Sequence, residues 1–107
     1  MKIQDTPVSN TLRSLISYHD KAIGSTDGIP EDEKSIMSVL TSDMMGWSWT
    51  IHEAEFQGDD MIFFGRVNGF ASELGYFSWE ELAEVPDLRI ESRIATDPEE
   101  EALDMHM

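Results

Sequence analysis

The segment from residue 46 to 69, GWSWTIHEAEFQGDDMIFFGRVNG, constrains the fold more than any other part of the chain. In WSWTIHEAEF the large apolar and the polar residues alternate, and a period of two is the signature of a strand. QGDD has the composition of a turn. The following MIFFGRV is apolar on both faces, as in a central strand that is covered on both sides. The segment therefore predicts an antiparallel hairpin with Phe63 or Phe64 buried, and by our interpretation both.

The alternation also assigns the side chains of the first hairpin strand to two faces. One face carries Trp47, Trp49, Ile51, Glu53 and Glu55, and the other carries Ser48, Thr50, His52, Ala54 and Phe56. Glu53 and Glu55 are then expected to point the same way, ~6.8 Å apart along the strand.

The part of the chain before the hairpin supplies a helix and one further element. Residues 9–22, SNTLRSLISYHDKA, predict a helix that Ser9 or Asn10 caps and that Gly24 stops. The glycine-, proline- and acid-rich GSTDGIPEDE is typical of a loop. Residues 34–42, KSIMSVLTS, alternate and predict a strand, with a helix as the alternative.

After the hairpin, short elements follow closely. Asn68 and Gly69 fit a tight turn that needs positive φ, and ELGYFS predicts a short strand. SWEELAEV predicts a helix with a capping box, in which Ser78 is the cap and Glu81 lies three residues on. LRIESRI alternates and predicts a last strand.

These elements indicate an α+β fold. We expect a mainly antiparallel sheet of four to five strands, with an N-terminal helix and a short helix after the GYFS strand. The length of 107 residues suits one domain. We assign residues 1–98 to this acidic domain and expect residues 99–107 to form a flexible acidic tail.

The charge balance limits what the protein can bind. Twenty-two acidic residues against seven basic ones give a formal net charge of −15. This charge repels phosphate and anionic lipid, so we expect no direct binding to nucleic acid and no membrane contact. There is no apolar run long enough to span a membrane, no signal-peptide pattern and no cysteine. We therefore expect a protein of the host-cell cytoplasm, present as a monomer or a weak dimer.

No residue pattern indicates catalysis, a cofactor or a metal. The histidines, His19, His52 and His106, lack the spacing of a zinc site. Paired carboxylates such as Glu53 and Glu55 arise on any acidic strand, and we interpret His52 beside Glu53 as a surface pair. The aromatic residues are interpreted mainly as core, because base-stacking platforms lie in basic grooves. We expect no enzymatic activity.

The stretch DDMIFFGRVNGFASELGYFSWEELAEV resembles the core of a family of short bacterial and phage-borne domains of unknown function. That core reads D–x–[LM]–[IF]–FFG–x–V–x–G followed by ELGYFS–x–x–EL, and the similarity covers about residues 46 to 95. Ala95 and Thr96 depart from the usual closing strand, as does the acidic tail. The resemblance implies a setting on plasmids and phages, near genes that counter restriction. It carries over no functional residues.

This setting and the charge together suggest an inhibitor that imitates DNA and binds the basic nucleic-acid-binding surface of a host defence protein or complex. A domain of this length is about 33 Å across, and duplex DNA of that length carries about 19 phosphates. Only a partial array of carboxylates is therefore expected. The candidates fall in three clusters: Glu53, Glu55, Asp59 and Asp60 in the hairpin; Glu80, Glu81 and Glu84 on the short helix; and Glu31, Asp32 and Glu33 in the loop. The alternatives are an acidic interaction module of a mobile element without mimicry, and a charge that serves solubility alone.

Overall fold

A five-stranded antiparallel sheet of order β4-β3-β2-β1-β5 forms the centre of the protein. We describe residues 6–92 of a computed structural model. The strands are β1 (Ser38–Ser42), β2 (Trp47–Gln57), β3 (Asp60–Asn68), β4 (Ser72–Ser78) and β5 (Arg89–Ser92). The helices are α1 (Pro7–His19) and α2 (Trp79–Leu82), with a 3-10 turn at Glu31–Glu33. The predicted α+β fold is confirmed, whereas the predicted tail and the end of the last predicted strand lie outside the described residues.

The N-terminal cap of α1 differs from the prediction. The cap is Thr6, not Ser9 or Asn10. The Ser9 N–H donates to the Thr6 hydroxyl (3.1 Å), and the Thr6 N–H donates to the Ser9 hydroxyl (2.9 Å). Pro7 follows the cap, where its missing N–H has no intrahelical partner to lose. Ser9 therefore closes a capping box from the third helical position, and in sequence that serine looks like a cap.

Three other boundaries are set by the backbone. α1 ends before Asp20, which adopts the left-handed conformation at φ 54°, so Gly24 does not stop the helix. Residues 38–42 form a strand, which excludes the helical alternative for this segment. Gly69 has no positive φ, unlike the predicted tight turn, and residues 69–71 link the paired Asn68 and Ser72.

The predicted hairpin is confirmed as the β2–β3 pair. Gln57 pairs with Asp60, and Gly58 at φ 60° opens the turn between them. Phe63 is fully buried, and its ring lies 5.5 Å from the ring of Phe77 on β4. Phe64 points to the other side of the sheet and is half-buried. Only Phe63 is therefore in the core, and the expectation that both phenylalanines are buried was wrong, because successive residues of a strand point to opposite faces.

A β-bulge in β2 changes the predicted faces of that strand. The pairing passes from Ile51 opposite Gly65 to Glu53 opposite Phe64, so one extra residue lies between them on β2. Such a residue shifts the alternation by one position. Ala54, rather than Glu53, therefore lies on the face of Ile51. The predicted shared face of Ile51, Glu53 and Glu55 was wrong, because the period of two is interrupted at His52.

Gly65, in the FFG stretch, fits the bulge because it has no side chain. A Cβ placed on Gly65 would lie 1.7 Å from the Thr50 carbonyl oxygen. The two backbones approach too closely there for any other residue. Gly65 is thus a requirement of the fold.

The helices close the core against the sheet. Leu12 and Ile16 of α1 and Trp79 and Leu82 of α2 are buried in one cluster with Met37, which precedes β1, and with sheet residues. These sheet residues are Leu40, Trp49, Ile51, Ala54, Met61, Phe63 and Phe77. α2 begins with the predicted capping box, because the Glu81 N–H donates to the Ser78 hydroxyl (3.2 Å) and the Ser78 N–H donates to the Glu81 carboxylate (3.0 Å). No helix within residues 6–92 is long and apolar enough to cross a membrane.

Candidate acidic interface

The turn of the hairpin and the start of α2 meet at one end of the sheet. The Asp60 carboxylate accepts hydrogen bonds from its neighbour Met61 N–H (2.8 Å) and from Glu80 N–H (3.1 Å). Two predicted clusters that are separate in sequence are therefore adjacent in space. We name this group the acidic end; it comprises Asp59, Asp60, Glu80, Glu81 and Glu84. Glu84 was predicted to lie on the helix, but α2 ends at Leu82 and Glu84 follows it.

The carboxylates of the acidic end are open to solvent. Asp60 is half-buried and the other members are exposed. Asp60 and Glu81 also serve the fold, since each accepts a backbone N–H at the start of α2. Within residues 6–92, no member of the acidic end has a lysine or arginine partner. Their charges are thus not neutralised by the described part of the chain.

Glu53 does not belong to an exposed surface. Its side chain is 1% exposed and lies under the loop that connects α1 to β1. It accepts hydrogen bonds from Gly24 N–H (2.7 Å), from Thr26 N–H (3.0 Å) and from the Thr26 hydroxyl. Burial alone would raise the pKa of the Glu53 carboxyl, but these hydrogen bonds and the nearby Lys34 together lower it. Glu53 is therefore an ionised anchor for the loop.

The neighbours of Glu53 fix the same loop. The half-buried Glu55 accepts a hydrogen bond from Ile23 N–H (3.1 Å). His52 is 4% exposed, and its Nδ1 lies 2.9 Å from the Ser35 carbonyl oxygen. The interpretation of His52 and Glu53 as a surface pair was wrong, because the loop between α1 and β1 covers this side of β2.

The predicted loop cluster is divided by an ion pair. Glu31 accepts both hydrogen bonds of a bidentate contact with Arg66. The Arg66 guanidinium lowers the pKa of the Glu31 carboxyl, and Glu31 raises the pKa of Arg66. Asp32 and Glu33 are exposed. They remain candidates for a partner, whereas the charge of Glu31 is compensated.

Lys34 and Arg89 are also engaged away from the acidic end. Lys34 Nζ donates to the carbonyl oxygen of Thr26 (2.6 Å) and to its hydroxyl (2.7 Å). Arg89 contacts Asp43 (3.1 Å) and Glu91 (3.2 Å). Arg89 and Glu91 belong to β5, which is at the opposite edge of the sheet from β4.

Sequence reasoning missed the structural use of these carboxylates. The hydrogen bonds to Glu53 and the ion pair of Glu31 join residues about thirty positions apart, and no local sequence pattern predicts such contacts. The donors, Gly24 and Thr26, lie in a segment whose composition predicts only a loop. A signal was present in the sequence, since the apolar positions change from odd numbers (Ile51) to even numbers (Ala54, Phe56) across the polar pair His52 and Glu53, where the bulge lies.

Within residues 6–92, no cluster of histidine and acidic side chains is arranged to hold a metal ion. Comparison of the chain with protein-family models, curated proteins and solved structures gives no match. The resemblance to phage-borne domains therefore stays a prediction.

Proposed function

We propose that this protein is a small acidic inhibitor that partly imitates DNA and occupies the basic nucleic-acid-binding surface of a host defence complex. The class of target is a restriction enzyme or a CRISPR effector. The observation that supports the proposal is the acidic end, where the Asp60 carboxylate contacts the Glu80 N–H and so brings the acidic residues of the hairpin turn and of α2 next to each other without a described cationic partner. A positively charged channel attracts such a group as it attracts phosphates.

The dimensions support partial rather than complete mimicry. The longest axis of the described protein is 40 Å, and duplex DNA of that length carries about 24 phosphates. The whole chain has 22 acidic residues, and Glu53 and Glu31 are committed to internal contacts. The acidic end would therefore occupy the positions of a short run of phosphates in the channel. Other parts of the protein surface would contact the rest of the channel through complementary shape and other interactions.

A second candidate is an acidic interaction module without mimicry. The structural roles of Glu53, Glu31, Asp60 and Glu81 favour it, because carboxylates that build the fold need no partner to explain them. In this case the protein would bind a basic protein surface that does not hold nucleic acid. Competition with DNA separates the two candidates.

The test uses purified restriction endonucleases and CRISPR effectors with a fluorescent duplex of their recognition sequence. Wild-type protein is compared with the triple variant Asp59→Asn, Glu80→Gln, Glu84→Gln. The matched control is Asp20→Asn, Asp27→Asn, Glu73→Gln, which removes the same charge at exposed positions outside the acidic end. Asp60 and Glu81 are left unchanged because they accept hydrogen bonds at α2.

We expect the wild type to displace the duplex from its target and to do so less well as salt rises, because salt screens charges beyond ~8 Å at physiological ionic strength. The acidic-end variant should lose roughly tenfold or more in competing strength, whereas the control should stay close to the wild type. If the wild-type protein displaces the duplex from none of the targets tested, mimicry is contradicted. Equal losses in the two variants would refute the assignment to the acidic end.

A further inference from the structure

An apolar groove of about 470 Å³ lies beside β4, on the face of the sheet that carries Phe77. Its lining includes Trp47, Trp49, Val67, Phe77, Leu82 and Val85. Phe77, Trp49 and Leu82 belong to the buried core, so the groove reaches down to the core itself.

Exposed apolar side chains gather around this groove. Met45 lines it and is among the large hydrophobic residues that the fold leaves exposed. Leu74 and Tyr76 border the groove as residues of β4, but their side chains lie on the opposite face of the sheet, where the Tyr76 ring contacts Phe64. Phe70 is 99% exposed and packs edge-on against Trp47, with ring centroids 5.4 Å apart. Clustered exposed apolar groups of this kind mark interaction sites more often than scattered ones do.

The strand that borders the groove is an edge of the sheet. β4 pairs with β3, and no other described strand lies on its outer side. Half of its backbone groups are therefore available for pairing with an added strand. Gly75, near the middle of β4, lines the groove, and a Cβ built there would have no atom within 4 Å. The structure thus has open space beside an unpaired backbone.

We propose that the β4 edge and this groove bind an extended segment of a partner protein, which adds to the sheet as a sixth strand beside the five described. In strand addition of this type, backbone hydrogen bonds provide the affinity and alternate side chains provide the specificity. The segment would place an apolar side chain over Gly75. It would place a lysine or arginine near Glu73 and Glu81, which line the groove without any basic residue beside them.

Charge decides against the other possible occupants. A second copy of the chain carries the same net charge of −15 and the same Glu73 along its edge. The C-terminal segment DPEEEALD, residues 97–104, is itself acidic and does not complement Glu73 and Glu81. A basic and apolar segment is the complement of this site. The proposal is independent of DNA mimicry, because it requires no nucleic-acid-binding partner.

The test begins with a phage-displayed library of random dodecapeptides that is selected on the full-length protein. We expect the enriched peptides to alternate apolar residues and to contain lysine or arginine. A synthetic enriched peptide should shift the backbone amide resonances of β4 in a nitrogen-15 correlation spectrum. The acidic-end triple variant should bind this peptide like the wild type, which separates the present proposal from the inhibitor proposal.

Two variants address the site directly. Gly75→Leu fills the groove at a position where the backbone φ is not positive and no atom obstructs a side chain, so the fold should persist with an unchanged melting temperature. Glu73→Lys reverses the charge at the rim. Each should weaken peptide binding roughly tenfold or more.

Several results would overturn the proposal. These are a selection that enriches no peptide, an enriched peptide that binds the wild type and Gly75→Leu equally, and a concentration-dependent dimer that Gly75→Leu abolishes. Nuclear Overhauser contacts between β4 and residues 97–104 in the wild type would also overturn it, because the chain itself would then fill the site.

Discussion

The buried carboxylate of Glu53 connects the loop between α1 and β1 to the sheet. It receives two backbone N–H groups and one hydroxyl from the loop. A carboxyl whose pKa is lower in the folded state than in the unfolded state binds fewer protons when folded. Its contribution to stability is present above the unfolded pKa of about 4.3 and is lost as the pH falls through the lower folded value.

We therefore expect Glu53→Gln to reduce the free energy of unfolding at pH ~7. We also expect the free energy of unfolding of this variant to fall less than that of the wild type as the pH is lowered. Glu53→Ala should cost about 3 kcal/mol at neutral pH, because buried N–H donors lose their acceptor. Urea unfolding at several pH values measures both effects. Glu33→Gln, at an exposed position, is the control and should change little. An acid response of Glu53→Gln equal to that of the wild type would contradict the anchoring role.

Two glycines that pair across β3 and β4 differ in the space around them. Gly65 pairs with Gly75, yet a Cβ on Gly65 would meet the Thr50 carbonyl at 1.7 Å whereas one on Gly75 would meet nothing. Gly65→Ala should destabilise by about 3 kcal/mol or more, since backbone must move. Gly75→Ala should stay within about 0.5 kcal/mol of the wild type. Thermal unfolding of both variants checks the bulge, and equal melting temperatures would exclude it.

Among the elements, the β2–β3 hairpin separates its two phenylalanines by face. Phe63 is fully buried beside Phe77, whereas Phe64 is half-buried and lies against Tyr76, 5.0 Å between ring centroids. Phe63→Ala should cost about 3–5 kcal/mol, and Phe64→Ala about 1–2 kcal/mol. Denaturant unfolding of the two variants gives the comparison. A larger loss for Phe64→Ala would place the core on the opposite face of the sheet.

The whole molecule carries a charge that decides its long-range interactions. The protein has a net charge of −15, and two of its described arginines, Arg66 and Arg89, are paired with Glu31 and Asp43. We expect no binding to duplex or single-stranded nucleic acid at physiological salt, because both partners are anionic. A gel shift with labelled oligonucleotides at micromolar protein measures this. Saturable binding to a defined oligonucleotide would contradict it.

The sequence by itself determined the elements whose signals are local. Alternation and the QGDD turn predict the hairpin, and Ser78 with Glu81 predicts the start of α2. These follow from side-chain periods and capping chemistry within a few residues. The α+β class follows from their order along the chain. The excess of acidic residues is likewise a property of composition alone.

Only the tertiary structure decided which carboxylates are free to meet a partner. The bulge at His52 turned Glu53 to the side that the loop covers, and Arg66 compensated Glu31. The contact of Asp60 with Glu80 joined two clusters that the sequence left apart. Each of these outcomes depends on backbone groups brought together from distant positions. Charge can be counted in the sequence, but its exposure is settled by the hydrogen bonds that the fold requires.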